Sequence, residues 1–317
     1  MTVSSYIAPY WLPGGHLQTL FPYFFAPRHV IGWRRERWEL DDGDFIDADW
    51  LDGPSDSPLV VAFHGLEGNS DGYYMRILAH WLGQAKVRMV AINFRGCSGE
   101  PNRLARAYFA GDSTEIGRVM ARLDMRHEAA LYAVGYSLGA NALLRWLGEQ
   151  GNAATPMLRA AIAVSAPLDL PAAGHALDHG INRWLYTRHF LHSLRRKAAG
   201  LLQRHPGAFD GNAVRHATTL HAFDQHFTAV LHGYRSADDY WKRAASLPLL
   251  DRIAVPTLLI NARNDPFLPG DTLPRADQVS AAVQLEFPAE GGHVGFPGSD
   301  WLSRRMLQHL DIPFPPS

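Results

Sequence analysis

The chain has 317 residues, 47% of them hydrophobic, which is enough to bury a sizeable core. Its formal net charge is -1 and no long run of one sign occurs, which argues against the clustered Lys and Arg of a nucleic-acid-binding surface. A single cysteine, Cys97, excludes an intramolecular disulfide framework and a multi-cysteine metal site, and it is consistent with a cytoplasmic location.

The first 25 residues are aromatic and apolar in patches, but they lack the charged start of a secretory signal and are broken by Pro9, Pro13 and Gly14. No stretch approaches the roughly 20 unbroken apolar residues that a membrane span needs. We interpret this segment as packed on the domain surface. A role in lining an acyl pocket or contacting a lipid surface is the alternative, and peripheral membrane contact is not favoured.

The predicted elements alternate between strands and helices along the chain. A hairpin is predicted over residues 34–40 and 44–50, which flank Asp41-Asp42-Gly43. Continuous apolar runs then indicate strands of a parallel sheet covered on both faces, at 58–65, 88–96, 129–137, 159–167, 257–265 and 283–290. Helices are predicted at roughly 73–82, 113–127, 138–149 and 299–310. This alternation predicts an α/β fold with an open, doubly wound, mostly parallel sheet.

The stretch 168–247 interrupts the alternation with about 80 residues that are rich in His and Arg. A connection of this length inside a compact domain is usually functional. We interpret it as a helical cap inserted over the carboxyl edge of the sheet, so that residues 1–167 and 248–317 form the core. Its basic run at 189–205 favours a solvated helix face over membrane contact.

The strongest chemical signal is the sequence Gly135-Tyr136-Ser137-Leu138-Gly139. It lies between a predicted strand and a predicted helix, the context in which G-x-S-x-G forms a strained turn that exposes a nucleophilic serine. Side chains at 135 and 139 would collide with neighbouring backbone, which explains the glycines. The pattern predicts Ser137 as a nucleophile.

A serine hydroxyl needs a base, and in this kind of fold the chain order is Ser, acid, His. His293 follows the last predicted strand in Gly291-Gly292-His293, and Asp265 ends the strand before it. We predict His293 as the base and Asp265 as the residue that orients it. The weaker candidates are His16, His64, His221 and His226 for the base, and Asp271 and Asp277 for the acid.

An oxyanion hole needs two backbone donors. The N–H of Leu138 is one candidate, because it follows the serine at the start of the helix. The other is the N–H of Leu66, in the loop His64-Gly65-Leu66-Glu67-Gly68 after the third strand. No dinucleotide, Walker or zinc-protease motif occurs, so no cofactor or metal is predicted.

Several motifs together resemble the YheT-like branch of the α/β-hydrolases, which is related to mammalian ABHD-type lipases and esterases. They are WLPGGHLQTLFP (11–22), HGLEGNS (64–70), NFRGCSG (93–99), GYSLGAN (135–141), FDQHFTA (223–229), NARNDPFLP (261–269) and GGHVGF (291–296). The resemblance covers nearly the whole chain, and it places nucleophile, acid and base on Ser137, Asp265 and His293.

This resemblance implies a carboxylic ester hydrolase that acts on short- to medium-chain acyl esters or lipid-like substrates through a Ser-His-Asp triad. The alternatives are an acyltransferase that uses the same acyl-enzyme and a non-catalytic ligand-binding protein on a hydrolase scaffold. The acyl length, the alcohol and the oligomeric state stay open.

Overall fold

The computed structural model describes residues 5–125 and 129–315. One sheet of eight strands runs through it, in the order β1-β2-β4-β3-β5-β6-β7-β8. In chain order the strands are β1 (Arg34–Glu39), β2 (Phe45–Leu51), β3 (Leu59–Phe63), β4 (Arg88–Asn93), β5 (Leu131–Tyr136), β6 (Ala160–Val164), β7 (Thr257–Ile260) and β8 (Val283–Glu286). The β1–β2 and β2–β4 pairs are antiparallel and all the others are parallel. The predicted hairpin and the predicted mostly parallel sheet are therefore confirmed.

Helices cover both faces of this sheet, and others lie in the N-terminal segment and between β6 and β7. They are α1 (Gly14–Phe25), α2 (Tyr73–Gln84), α3 (Ser113–Asp124), α4 (Leu138–Gln150), α5 (Leu170–Asp178), α6 (Gly180–Asn182), α7 (Arg188–Arg204), α8 (Gly211–His216), α9 (Leu220–His226), α10 (Thr228–Leu231), α11 (Ala237–Ala244) and α12 (Trp301–His309). A π turn, Arg183–Thr187, leads into α7. The last predicted residues of the helix 113–127 lie outside the described residues.

Strand β3 shows why the predicted strands are continuously apolar. Leu59, Val61 and Phe63 belong to the hydrophobic cluster on one face of the sheet. Val60 and Ala62 belong to the cluster on the other face. Because successive side chains of a strand point to opposite faces, a strand buried on both faces is mostly apolar, and its rare polar residues, such as Asp47 and Asp49 of β2, are paired.

Two regions of the chain differ from this regular pattern. Residues 170–244 form helices α5–α11 between β6 and β7, where a helical insertion was expected. The N-terminal segment forms helix α1, which the sequence did not indicate because Gly14, Gly15 and Pro22 all disfavour a helix. Within the described part of the chain, no helix combines the length and the apolar character needed to cross a membrane.

Candidate active site

Ser137 occupies a strained turn between β5 and α4. Its backbone has φ 51° and ψ -119°, in the region that L-residues rarely adopt. A Cβ at Gly135 would lie 2.5 Å from the Cα of Ala140, and one at Gly139 would lie 2.5 Å from the carbonyl oxygen of His64. Only glycine fits at either position, so the flanking glycines are dictated by the close approach of backbone to this turn.

A chain of hydrogen bonds connects the three residues selected from the sequence. Ser137 Oγ lies 2.9 Å from Nε2 of His293, and Nδ1 of His293 lies 2.7 Å from Oδ2 of Asp265. The other oxygen of Asp265 accepts a hydrogen bond from the N–H of Phe267 at 2.8 Å. The ring of Phe267 stacks on the imidazole at 4.1 Å between centroids. The carboxylate is fully buried, so it presents one oxygen to the imidazole in a fixed orientation.

Helix α1 holds the loop that carries His293. The backbone N–H of His293 donates to Oγ1 of Thr19 at 2.8 Å. Oε1 of Gln18 accepts from the N–H of Gly291 at 2.8 Å and from the side chain of Asn264 at 2.9 Å. Gln18 and Thr19 are themselves buried. These two polar residues were not singled out from the sequence, because their partners lie 246 to 274 residues away along the chain.

The loop after β3 lies directly against the serine. A Cβ at Gly65 would approach Cβ of Ser137 to 3.1 Å. The N–H of Gly65 donates to the hydroxyl of Tyr74 at 3.0 Å, and the N–H of Glu67 donates to the hydroxyl of Tyr108 at 2.7 Å. Among the residues that the structure describes, the N–H of Leu66 between them has no hydrogen-bond acceptor.

The N–H of Leu138, the other donor selected from the sequence, begins helix α4 next to Ser137. It likewise has no acceptor among residues 5–125 and 129–315. The first N–H groups of a helix lack partners within the helix and carry its positive dipole end. Two unpaired donors beside one hydroxyl form a suitable cradle for an oxygen that gains negative charge.

The competing histidines have structural partners elsewhere. His64 is fully buried and accepts a hydrogen bond from the N–H of Phe94 at 3.1 Å, and burial lowers its pKa to about 4. His16 is bonded to the hydroxyl of Tyr186 at 3.0 Å. His221 lies 3.0 Å from Asp238, and His226 ends α9. The structure therefore brings none of them to Ser137.

The competing acids are also displaced from the imidazole. Asp271 is exposed in the short turn Gly270–Thr272, and Asp277 is exposed and paired with Arg275 at 3.0 Å.

Cys97 is buried, and burial raises the pKa of its thiol to about 11. The thiol is therefore packed rather than reactive.

A cavity of about 600 Å³ opens beside Ser137 and His293. Helices of the 170–244 insertion supply much of its wall, including Leu177, Phe190 and Phe223. From the same insertion, Nζ of Lys197 on α7 reaches Oε1 of Glu67 at 2.8 Å. The insertion is thus tied to the residue that follows Leu66 in the loop after β3.

This sheet order, with a serine on a strand–turn–helix after β5 and its partners in the loops after β7 and β8, defines the α/β-hydrolase class. Comparison with known proteins agrees. The family model described as the alpha/beta hydrolase fold matches residues 58–299.

The chain is 36% identical to YheT of Escherichia coli, whose name proposes an esterase, over 94% of the chain and 88% of that protein. It is 31% identical to the medium-chain fatty acid ethyl ester synthase/esterase 2 of Saccharomyces cerevisiae, over 80% of the chain and 62% of that protein. Among solved structures, the esterase Pf2001 of Pyrococcus furiosus superposes with a TM-score of 0.57. At 16% identity it covers 90% of this chain and 98% of that one, and it supports the fold alone.

The chain therefore belongs to the α/β-hydrolase fold family and, within it, to the YheT-like branch, as the sequence motifs indicated. As a member of this family the protein is a hydrolase.

Proposed function

We propose that the protein is a serine carboxylesterase that hydrolyses short- to medium-chain acyl esters, with Ser137 as nucleophile, His293 as base and Asp265 as the orienting acid. The observation that carries this proposal is the unbroken chain of hydrogen bonds from Oγ of Ser137 through the imidazole to a buried carboxylate. The serine end of this hydrogen-bond network faces an open cavity rather than packed protein.

In the first step, Oγ of Ser137 attacks the ester carbonyl while Nε2 of His293 takes its proton. The negative charge that develops on the carbonyl oxygen is stabilised by the N–H groups of Leu66 and Leu138, and losing one such donor typically costs about 3 kcal/mol of transition-state stabilisation. His293 then protonates the leaving alcohol, which departs and leaves an acyl group on Ser137.

In the second step, water attacks the acyl-enzyme by the same route. His293 removes a proton from the water and returns it to Oγ of Ser137 as the carboxylic acid leaves. Asp265 holds the imidazole tautomer through its contact with Nδ1 and stabilises the imidazolium that forms in each step. The stacked ring of Phe267 restricts tilting of the imidazole between the two steps.

The shape of the cavity supports an acyl chain of limited length. Its volume of about 600 Å³ lies within the range of small-molecule sites. Apolar side chains that line it include Leu138, Leu170, Leu177, Phe190, Phe223 and Phe267. The yeast relative is named for medium-chain fatty acid esters, which agrees with this size.

We further propose that residues 168–247 act as a cap that shapes the acyl site. The support is that Leu177, Phe190 and Phe223 come from this segment and line the same cavity as Ser137. A Phe190→Ala variant enlarges that wall, so its preferred ester is expected to be longer than that of the wild type. An unchanged chain-length profile would contradict the cap's role in selecting the acyl chain.

Transfer of the acyl group to an alcohol is the second candidate, because the yeast relative is named as both synthase and esterase. Both reactions share the acyl-enzyme and differ only in whether water or an alcohol attacks it. Adding ethanol to the ester assay separates them: a transferase forms ethyl ester at the expense of free acid, and a hydrolase does not.

The direct test is a panel of p-nitrophenyl esters of increasing acyl length, measured with wild type and Ser137→Ala. We expect the wild type to prefer short to medium chains and the variant to lose turnover while it unfolds in urea at the same midpoint. Turnover by Ser137→Ala at the wild-type rate would contradict the assignment.

A further inference from the structure

Large apolar side chains are exposed on one part of the molecule. Among the described residues, eleven of the thirteen large hydrophobic side chains that are exposed lie in residues 7–30 and 181–185. We call these eleven side chains the aromatic surface. They are Ile7, Tyr10, Trp11, Leu17, Tyr23, Phe24, Phe25, Val30, Ile181, Trp184 and Leu185. Scattered exposed apolar residues are normal, but a concentration of this kind marks an interaction site.

Ring contacts make this surface continuous. Six rings form a series from the N-terminal segment to the first turn of α7, and the centroids of neighbouring rings lie between 5.0 and 6.3 Å apart. In order of contact they are Trp11, Phe21, Phe25, Phe24, Tyr23 and His189. The π turn before α7 presents Trp184 and Leu185 outward while Tyr186 packs inward. The two segments therefore form one face.

Helix α1 buries polar side chains and exposes aromatic ones, which is the reverse of an ordinary surface helix. Its buried residues are Gln18, Thr19 and Pro22, and the two polar ones bind the loop that carries His293. Its exposed residues include Phe24 and Phe25, which are 59% and 70% accessible. An amphipathic helix on a globular domain normally turns its apolar stripe inward. Helix α1 instead directs aromatic rings away from the core.

The two segments that carry the aromatic surface have basic but no acidic side chains. One acidic residue from elsewhere, Asp300, lies close enough to His29 to interact with it electrostatically. Neither residues 5–30 nor residues 179–204 contain an Asp or a Glu. The same segments carry the exposed cations Arg28, Arg183, Arg188 and Arg196, and the guanidinium of Arg188 lies 4.5 Å from the ring centroid of Trp184. Glu290 bonds to Gln18 on the inner side of α1 and belongs to neither segment.

We propose that the aromatic surface docks the protein onto a lipid surface that carries anionic headgroups. Trp, Tyr and Phe rings insert at the boundary between headgroups and acyl chains, and Arg side chains pair with the headgroups around them. A second copy of this chain is the poorer occupant. A two-fold contact would bring the same patch together from both copies, and its cations would meet with no acidic residue of either segment to neutralise them.

This placement also brings lipid close to the catalytic side chains. Tyr186, which underlies the aromatic surface, packs on Phe267 at 4.5 Å between centroids, and Phe267 stacks on His293. The docking proposal does not depend on the proposed esterase activity, because it concerns binding alone.

The test is co-sedimentation of the full chain with vesicles of phosphatidylcholine alone and of phosphatidylcholine with phosphatidylglycerol in equal parts. The wild type is expected to sediment with the anionic vesicles, more weakly with the zwitterionic ones, and less as salt is raised. Removing two exposed rings in Phe24→Ser/Phe25→Ser is expected to weaken partitioning into both vesicles by about tenfold or more.

The contribution of the cations is tested with three single variants, Arg28→Gln, Arg183→Gln and Arg188→Gln. Each is expected to lower partitioning into anionic vesicles about fivefold and to leave binding to zwitterionic vesicles unchanged. The matched controls are Met125→Ser and Arg252→Gln, which remove exposed side chains ahead of β5 and β7, at the opposite edge of the sheet. Both controls are expected to bind like the wild type.

Three results would overturn the proposal. The first is a wild type that stays entirely in the supernatant with both vesicles, and the second is a Phe24→Ser/Phe25→Ser protein that binds as well as its controls. The third is a dimer in size-exclusion chromatography that this double variant converts to monomer, which would make a second copy the occupant. Circular dichroism and urea unfolding establish that each variant is folded, independently of any ester assay.

Discussion

Replacing Thr19 by Val tests whether helix α1 supports the catalytic loop. The two side chains have nearly the same shape, but Val removes the oxygen that accepts the backbone N–H of His293 at 2.8 Å and that donates to the carbonyl of Gly15 at 2.7 Å. Thr19 is 8% exposed and the backbone of His293 is buried, so water does not readily replace the lost acceptor.

The expected magnitude follows from these contacts. A buried N–H left without a partner costs about 1–3 kcal/mol, so the free energy of unfolding should fall by that amount. The loop can recover part of this by moving the N–H toward another acceptor, which displaces the imidazole from Ser137. A displacement of about 1 Å at a reacting group can cost about 100-fold in rate. We therefore expect kcat to fall by about 10- to 100-fold with little change in KM.

The assay compares kcat and KM for one p-nitrophenyl ester, and urea unfolding, across wild type, Thr19→Val and Thr19→Ser. The serine variant keeps the hydroxyl and loses only a methyl group, so it should retain most of the activity. Equal kcat values for the valine and serine variants would refute the claim that this hydroxyl positions His293.

Three further outcomes are expected. Asp265→Asn removes the carboxylate that orients His293 and should lower kcat by about four orders of magnitude with the fold intact by circular dichroism; a loss below tenfold would contradict its role. Gly139→Ala places a Cβ 2.5 Å from the carbonyl oxygen of His64, so it should destabilise the protein by about 1–3 kcal/mol in urea and displace Ser137; wild-type stability would contradict the packing argument. Burial lowers the pKa of His64 from 6.5 to about 4, so between these values the unfolded chain binds a proton that the folded chain does not. The free energy of unfolding should therefore fall as pH falls through this range, and an equally steep fall in a His64→Asn variant would rule out His64 as a source.

The sheet and the serine turn could be predicted because their causes are local. A strand such as β3 is buried on both faces, and that requirement appears in the sequence as an unbroken apolar run. The glycines around Ser137 are required by backbone atoms within the turn and the adjacent strand, so the motif and its neighbours suffice to locate it. The predicted strands were too long at their carboxyl ends, as at β7, which ends at Ile260, because the predicted range 257–265 also took in the polar turn that leads to Asp265.

Helix α1 could not be predicted in the same way, because its reasons are long-range. Thr19 and His293 are 274 residues apart in sequence, and nothing near Thr19 shows that its hydroxyl will meet that loop. Gly14, Gly15 and Pro22 also weaken the local helical pattern. The helices of residues 170–244 present the same difficulty. Their positions depend on packing around a cavity that they share with the loops of the core.

The central claim is that Oγ of Ser137 is an activated nucleophile. Its most direct test is labelling of the native protein with a fluorophosphonate, followed by intact mass measurement and peptide mapping. The account predicts one adduct per chain, located on Ser137, and none on Ser137→Ala. An unlabelled wild type, or an adduct that persists in Ser137→Ala, would contradict it.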